Sequence, residues 1–488
     1  MPSLQVQAPA NSPAALGAVP FRTVPFRTVA FRTVGCRLNQ CDTAQMQEAL
    51  RGAGFRVVNW EERADVRVVN TCTVTAKSDR TCRHEIHSAK RLDPACLLAV
   101  TGCFAQVAPD SVAAIPGVDL VVGNPDKHQL AEHLVASLGR RPGDPTAGVA
   151  AAARGPAVTV AVSAHTDRPE LESEPFCRFH GRTRAFLKVQ TGCDSGCAYC
   201  IVPLARGPAR SLPQAAILQQ VRRLASHGYR EVVLAGIDLG SWGRDRAEGS
   251  LADLLAALVS QETPARDGAR ESPKQRFRLS SIEPLEVDEA LVAVVESSGD
   301  RLARHFHLPL QSGADSVLAR MGRPYSGAQY LEVALGLARR LPDSALGADV
   351  IVGFPGETEA EFAETLALVE ASPLTYLHVF GYSDRPGTRA AAMEPKVRPE
   401  VIKERSERLR ALGARKKAVF CAAVAGTEQT VLVLEEQAAD GRLVGLTGNY
   451  LQVLADGGKT PANQFVRVRL DRPSADGLWE VTILESRR

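Results

Sequence analysis

The chain has 488 residues, 45% hydrophobic and 23% charged, and its 58 Lys and Arg against 55 Asp and Glu leave a net charge of +3. That composition describes a soluble globular protein too long for one ordinary core, with about two to four domains. So small a net charge says little about partners, and a polyanion would have to be recognised by local patches. The first twenty residues carry no Lys or Arg, so no basic region leads into an apolar core, as a signal peptide requires. No run of about 18 apolar residues occurs, so no membrane span is expected. Eleven cysteines without the dense spacing of a disulfide-stapled secreted domain point to a reducing, cytoplasmic compartment with metal-bound thiolates.

Residues 1–29 read as a disordered extension, Pro- and Ala-rich and then repetitive: Pro20 to Val24, Pro25 to Val29 and Ala30 to Val34 each end in Phe-Arg-Thr-Val. Only the third copy leads into a plausible fold, and the first two are read as a duplication or an upstream start without function. Residues 30–138 alternate strand and helix. Strands are predicted at Phe31 to Val34, Phe55 to Asn59, Val66 to Asn70, Leu97 to Thr101 and Val118 to Val122. Helices are predicted near Thr43 to Gly52, Ala76 to Arg91 and Asp126 to Leu138. Short β-branched runs between helices imply a parallel sheet, whose ligands gather at the carboxyl ends of its strands.

Cys36, Cys72 and Cys103 each lie one to three residues beyond such a strand, so they can meet on one rim and hold a metal cluster. The bland alternative is three unrelated core cysteines. Cys96 reads as core, and Cys41 and Cys82 as helix-borne bystanders. Residues 139–184 shift to Gly, Pro and Ala and then to acidic residues. They read as a linker with one strand near Val158 to Val162 and a spare thiol at Cys177.

Directly after the apolar run Ala185 to Val189 comes Cys193-Asp-Ser-Gly-Cys197-Ala-Tyr199-Cys200. Three thiolates at this spacing can hold three irons of a four-iron cube and leave the fourth open to a small chelating molecule. A closed zinc site would want a fourth ligand, and no second close pair follows. From 185 to 395 six strand-helix units follow. The remaining strands are at Glu231 to Ala235, Phe277 to Ser281, His305 to Leu308, Leu346 to Val352 and Tyr376 to Tyr382. They suggest an incomplete TIM-like (β/α)6 barrel with its site at the strand ends. Gly236, Ser281, Glu283, Gln311, Arg323 and Gly353 stand at or beyond those ends.

Residues 396–425 hold nine Lys and Arg against three Glu, a basic helical connector that is either a solvated face or a phosphate contact. Residues 426–485 carry five short alternating strands, suggesting a small antiparallel OB-like barrel of the kind used for oligonucleotides.

The C-x3-C-x-aromatic-C motif, with Tyr199 in the aromatic place, resembles the radical S-adenosylmethionine (SAM) enzymes. Gly35-Cys36-Arg-Leu-Asn39, Asn70-Thr-Cys72-Thr, Thr101-Gly-Cys103-Phe-Ala-Gln106 and the run from Ser280 to Thr358 resemble the methylthiotransferases of that superfamily. Gly445-Leu-Thr-Gly-Asn449-Tyr450 resembles their RNA-binding TRAM domain. The resemblance covers residues 31 to 485. It implies two [4Fe-4S] clusters, one held by Cys193, Cys197 and Cys200 and an auxiliary one held by Cys36, Cys72 and Cys103. It also implies SAM cradled by Tyr199, Gly236, Ser281, Glu283, Gln311, Arg323 and Gly353.

By the same analogy, one SAM methylates a sulfur on the auxiliary cluster and a second yields a 5′-deoxyadenosyl radical that opens a substrate C–H bond. No general acid or base is assigned. The expected partners are tRNA and an electron donor, with no DNA and no membrane. The cysteine contexts look most like the branch acting on threonylcarbamoyl-adenosine, at C2, next to the anticodon. Cys41 and Leu204 stand where tyrosine is usual, and Thr191 where an acidic residue is usual. Isopentenyl-adenosine in tRNA and an aspartate of a ribosomal protein are the alternative substrates. A non-catalytic metal-containing RNA-binding protein is the alternative of another class.

Overall fold

The computed structural model describes residues 27–138, 158–165, 171, 179, 182–261, 275–455, 461–474 and 477–486. Cys177 lies outside them.

The first unit is built on β1 (Thr28–Thr33), α1 (Arg37–Gly52), β2 (Arg56–Val58), β3 (Val66–Thr71), α2 (Ala76–Leu92) and β4 (Leu97–Gly102). Then follow α3 (Cys103–Val107), α4 (Pro109–Ala113), β5 (Leu120–Val122), α5 (Leu130–Leu138) and β6 (Thr159–Ala161). Six parallel strands run in the order β2-β1-β3-β4-β5-β6. Apolar clusters cover both faces, one including Val69, Ile86 and Val100 and the other Val68, Leu120 and Leu134, which is why β3 reads as a continuous apolar run.

Two boundaries differ from the sequence reading. The strand starts at Thr28, inside the second Phe-Arg-Thr-Val copy, because Val29 is fully buried and pairs with Val57 and Val66. The extension expected over 1–29 therefore ends short of Thr28. The strand expected near Val158 to Val162 is present as β6, and by pairing with β5 it carries the first unit into the segment expected as linker.

The second unit comprises β7 (Ala185–Lys188), a small pair β8 (Gln190–Thr191) and β9 (Arg210–Ser211) around α6 (Val202–Arg206), then α7 (Gln214–Ser226) and β10 (Glu231–Ala235). It continues through α8 (Leu251–Ser260), β11 (Arg276–Leu279), α9 (Glu289–Ser297), β12 (His305–His307), α10 (Asp315–Met321) and α11 (Gly327–Arg340). It closes with β13 (Ala345–Val352), α12 (Glu359–Ala371) and β14 (Tyr376–Gly381). The parallel sheets β7-β10-β11 and β12-β13-β14 are joined by bridges Phe277 to Leu302 and Ser281 to His307, giving the expected six-strand partial barrel. Helix α10 was not foreseen, since the glycines and prolines around it mask a short helical pattern. The first unit packs against this barrel: Leu38, Cys41 and Ala44 of α1 belong to the same apolar cluster as Phe186 and Val232.

Helix α13 (Pro399–Val424) leads to β15 (Glu428–Gln437), β16 (Leu443–Thr447), β17 (Gln452–Ala455), β18 (Phe465–Pro473) and β19 (Trp479–Ser486). These five strands form a closed barrel in the order β15-β16-β17-β19-β18 around the buried Trp479. Its closing pair β17 and β19 is parallel, whereas an all-antiparallel barrel was expected.

Part of the basic charge of α13 is spent inside the fold. Arg405 pairs with Glu357 and Glu359, Arg408 with Glu359 and Arg415 with Glu370, while Lys416 donates to the Glu370 carbonyl. The helix is thus fastened to α12, while Lys403, Arg410 and Lys417 stay exposed without a carboxylate partner among the described residues.

Candidate active site

The loop after β8 carries Cys193, Cys197 and Cys200. It is pinned by main-chain bonds from Ala198 N–H to the Met321 carbonyl and from Ala390 N–H to the Ala198 carbonyl, each 2.8 Å, and by Arg389 donating to the Gly196 carbonyl. All ten described cysteines are free thiols. Burial pushes Cys193 up to about 11 and Cys200 up to about 12, so thiolates form here only when a bound cation compensates.

Arg323 lies over this loop. Its guanidinium donates to Cys197 Sγ at 3.2 Å, pairs with the Glu283 carboxylate and sits 4.9 Å from the Tyr325 ring centroid. Glu283 and Arg323 line a cleft of about 440 Å³ with Asp194, Ser241, Arg244 and Asp245. Asp238 and Glu286 also line it; burial and the facing Asp238 carboxylate push Glu286 up to about 8. These two acids were missed in the sequence, because each sits in an irregular turn after a strand, without a motif to mark it.

Of the other residues expected to cradle a ligand, Tyr199 is half-buried within electrostatic reach of Arg323, and burial raises its hydroxyl far above the usual phenol value. The Gly236 N–H is held by Ser280 Oγ at 3.2 Å, Ser281 bridges to His307, and Gln311 bridges to Val350 with a φ of +65°. Gly353 is placed elsewhere: its N–H donates to the Glu357 carboxylate at 2.7 Å, and that carboxylate pairs with Arg405 of α13.

The second triad collects at the carboxyl ends of β1, β3 and β4. Cys36 caps α1, Cys103 opens α3, and the charges of Cys36 and Cys103 both act on Cys72. Gly35 has a φ of +106°, and a Cβ there would lie 2.9 Å from Cys72 Sγ, so only glycine lets these two strand ends approach. Burial pushes Cys72 up to about 11. Cys82, on α2, sets its sulfur 3.3 Å from both the N and the O of Cys72.

Around this triad lies a buried charge network. Asp42 takes Lys127 at 2.9 Å, Lys188 at 2.7 Å and Arg206 at 3.0 Å, and Arg206 also donates to Asn39 Oδ1 at 2.6 Å. Three cations against one acid leave a positive surplus beside Cys36 and Cys103, whose charges both act on Arg206. Thr191 Oγ1 accepts from the same arginine at 3.3 Å, so the residue departing from the acidic pattern still serves it.

Thiolates bound to one zinc ion at about 2.3 Å lie no more than about 4.6 Å apart. Among the described residues neither cysteine triad brings its three sulfurs within 4.8 Å of one another. Each triad offers three thiols, the number that holds a four-iron cluster with a fourth position left to another ligand.

The lumen of the barrel is polar along β12, β13 and β14. The three groups whose ligand atoms do fall within 4.8 Å of one another are there: His307, Asp349 and His378. The Tyr376 hydroxyl lies 2.7 Å from His305 Nε2 and 3.1 Å from His307 Nδ1, and Tyr450 of the small barrel stacks on His305 at 4.5 Å.

A partial parallel barrel with a three-thiol loop at the ends of its strands defines a radical SAM protein, here carrying a second thiol triad on an added sheet. The family model described as "Radical SAM superfamily" matches residues 187–369, and that described as "Uncharacterized protein family UPF0004" matches residues 28–123. The threonylcarbamoyladenosine tRNA methylthiotransferase MtaB of Aquifex aeolicus (strain VF5) is 38% identical over 88% of this chain and 97% of its own. The MtaB of Bacillus subtilis (strain 168) is 36% identical over 88% and 91%. The tRNA-2-methylthio-N(6)-dimethylallyladenosine synthase of Pelobacter propionicus is 35% identical over 88% and 93%. Among solved structures, the radical SAM methyltransferase TsrM of Kitasatospora setae aligns over 75% of each chain, with a TM-score of 0.54 at 19% identity, a likeness of fold. The chain belongs to the tRNA methylthiotransferase family of radical SAM enzymes.

Proposed function

We propose that this protein is a cytoplasmic tRNA-modifying enzyme that places a methylthio group on C2 of N6-threonylcarbamoyladenosine next to the anticodon. The observation that carries the reading is the pair of three-thiol sites, one at the strand ends of the added sheet and one after β8 of the barrel, within a chain similar to the MtaB relatives over 88% of its length. When bound, two [4Fe-4S] clusters and SAM supply one-electron chemistry, a hydrogen-abstracting radical and the transferred sulfur.

The protein's part is to hold and shield. Cys193, Cys197 and Cys200 hold one cluster, and Cys36, Cys72 and Cys103 the other. Arg323, tied to Glu283 and Cys197, orients charged groups in the cleft. The acids Asp238, Glu283 and Glu286 offer acceptors for an ammonium and for ribose hydroxyls. Asp42 and its three cations lock the added sheet onto the barrel, fixing one triad relative to the other.

The tRNA backbone needs an exposed cationic surface, and α13 is neutralised in part, at Arg405, Arg408 and Arg415. Helix α2, which begins four residues after Cys72, exposes Lys77, Arg80, Arg83 and Arg91. Among the described residues none of these pairs with a carboxylate, and they are the phosphate contacts of this reading. No described helix is long and apolar enough to cross a membrane.

The test is reconstitution. Anaerobic protein carrying its clusters is given SAM, a reductant and an anticodon stem-loop bearing threonylcarbamoyladenosine, and the nucleosides are read by mass spectrometry. The 2-methylthio derivative is expected. Product only on an isopentenyl-bearing stem-loop would move the protein to the dimethylallyl branch.

A further inference from the structure

The barrel lumen is a built polar wall whose residues the cluster and SAM sites do not use. His305 and His307 alternate inward from β12, Asp349 from β13, and Tyr376 and His378 from β14. Asp349 Oδ1 lies 2.9 Å from His307 Nε2 and 3.3 Å from His378 Nδ1. Gly347 makes room for this wall, since a Cβ there would meet the Tyr376 ring at 1.9 Å. The wall is open to a ligand, because the side chains of Asp349 and His378 are 27% and 56% exposed.

Its position spans the two thiol triads. At one end Asp349 is within electrostatic reach of Glu283, the partner of Arg323, which touches Cys197. At the other end stands Arg37, the residue after Cys36. Its guanidinium reaches the Tyr450 hydroxyl at 3.4 Å and acts on His305 and Tyr376, and no carboxylate pairs with it among the described residues. An uncompensated guanidinium beside a hydroxyl, two imidazoles and an acid suits a ligand carrying a carboxylate, a hydroxyl and N–H groups.

We infer that Arg37, His307, Asp349 and His378 form the subsite for the amino-acid-bearing N6 substituent of the target adenosine. Arg37 takes its carboxylate, and the Asp349–His378 pair takes its hydroxyl and urea N–H groups. The inference rests on the proposed function and deepens it. A branched hydrocarbon substituent would leave these polar groups desolvated and unpaired, so the same wall selects against it.

The test is equilibrium binding of the cluster-loaded protein to three stem-loops, with the adenosine unmodified, threonylcarbamoylated or isopentenylated. The wild type, Arg37→Gln, Arg37→Lys and His378→Phe are compared, with iron content and circular dichroism showing that each variant is folded and loaded. Arg37→Gln and His378→Phe are expected to weaken the threonylcarbamoyl stem-loop by about 10- to 100-fold, the worth of a charge-assisted hydrogen bond. They are expected to leave the unmodified stem-loop unchanged, and Arg37→Lys to recover part of the loss. Equal weakening of all three stem-loops, or none, overturns the subsite. So does discrimination that EDTA abolishes, which would mean the three groups hold an ion instead. A wild type that prefers the isopentenyl stem-loop fails the proposed function itself, whereas one that prefers threonylcarbamoyl while both variants still discriminate fails the subsite alone.

Discussion

Asp42 on α1 accepts a hydrogen bond from Lys188 on β7 at 2.7 Å, across the junction between the added sheet and the barrel. Asp42 is 4% exposed, and Lys127 and Arg206 complete its shell. Such a cluster gains little over an apolar junction, but breaking it leaves buried charge uncompensated. Asp42→Ala is therefore expected to destabilise the protein by about 3–5 kcal/mol. It should also lower the iron bound at Cys36, Cys72 and Cys103 as the junction loosens. Denaturant unfolding and iron analysis check both.

The same acid sets an acid limit. Burial alone would raise the Asp42 carboxyl, but Lys127, Lys188 and Arg206 outweigh it and hold the group well below its ordinary 3.8. With the folded value depressed, its contribution is complete above about pH 4 and is lost as pH falls through the folded value. Below pH 4 the wild type should lose stability more steeply than Asp42→Asn, as followed by chemical unfolding across pH.

Glu286 works in the opposite direction. Burial first, and then the Asp238 carboxylate, raise it from 4.5 to about 8. With the folded value raised, no cost exists below pH 4.5, and it grows as pH climbs towards 8. Glu286→Gln should thus stabilise the SAM-free protein at pH 7 by on the order of 2–3 kcal/mol. It should leave stability at pH 4 unchanged while weakening SAM binding. Thermal melts at the two pH values, with and without SAM, test it.

The cysteine assignments make a stoichiometric prediction. Ala at any of Cys36, Cys72 or Cys103 should remove about four of about eight irons while leaving the other cluster's spectrum, and Ala at Cys193, Cys197 or Cys200 should do the reverse. Cys82→Ala should keep all the iron, since Cys82 contacts the main chain of Cys72. Full iron retention in Cys72→Ala would contradict the auxiliary site.

For helix α2, replacing Arg80 and Arg83 by Glu should weaken tRNA binding equally for modified and unmodified stem-loops. The slope of log affinity against log salt should fall by about 0.9 for each phosphate no longer neutralised. An unchanged slope would place the tRNA on another surface.

Most of the fold could be read from sequence, because short β-branched runs between helices have few other solutions; β3, β10 and the strands of the small barrel fall within a few residues of their expected places. The two thiol triads were legible from spacing and context. What sequence hid was pairing. The basic run of α13 gives no sign that Glu357, Glu359 and Glu370 await it across α12. Nothing local marks Asp42 as the partner of residues 85, 146 and 164 positions away. Nor does the sequence show that Glu357 accepts from the Gly353 N–H while Arg405 of α13 holds the same carboxylate. The lumen wall was invisible for a related reason: His307, Asp349 and His378 come from three strands, and only the pairing of β12, β13 and β14 brings them together.

The most direct test of the central claim is nucleoside mass spectrometry of tRNA from cells with and without this gene. The account predicts that the gene's loss removes the 2-methylthio derivative of threonylcarbamoyladenosine and leaves the unmethylthiolated nucleoside in its place. An unchanged threonylcarbamoyladenosine profile would contradict it.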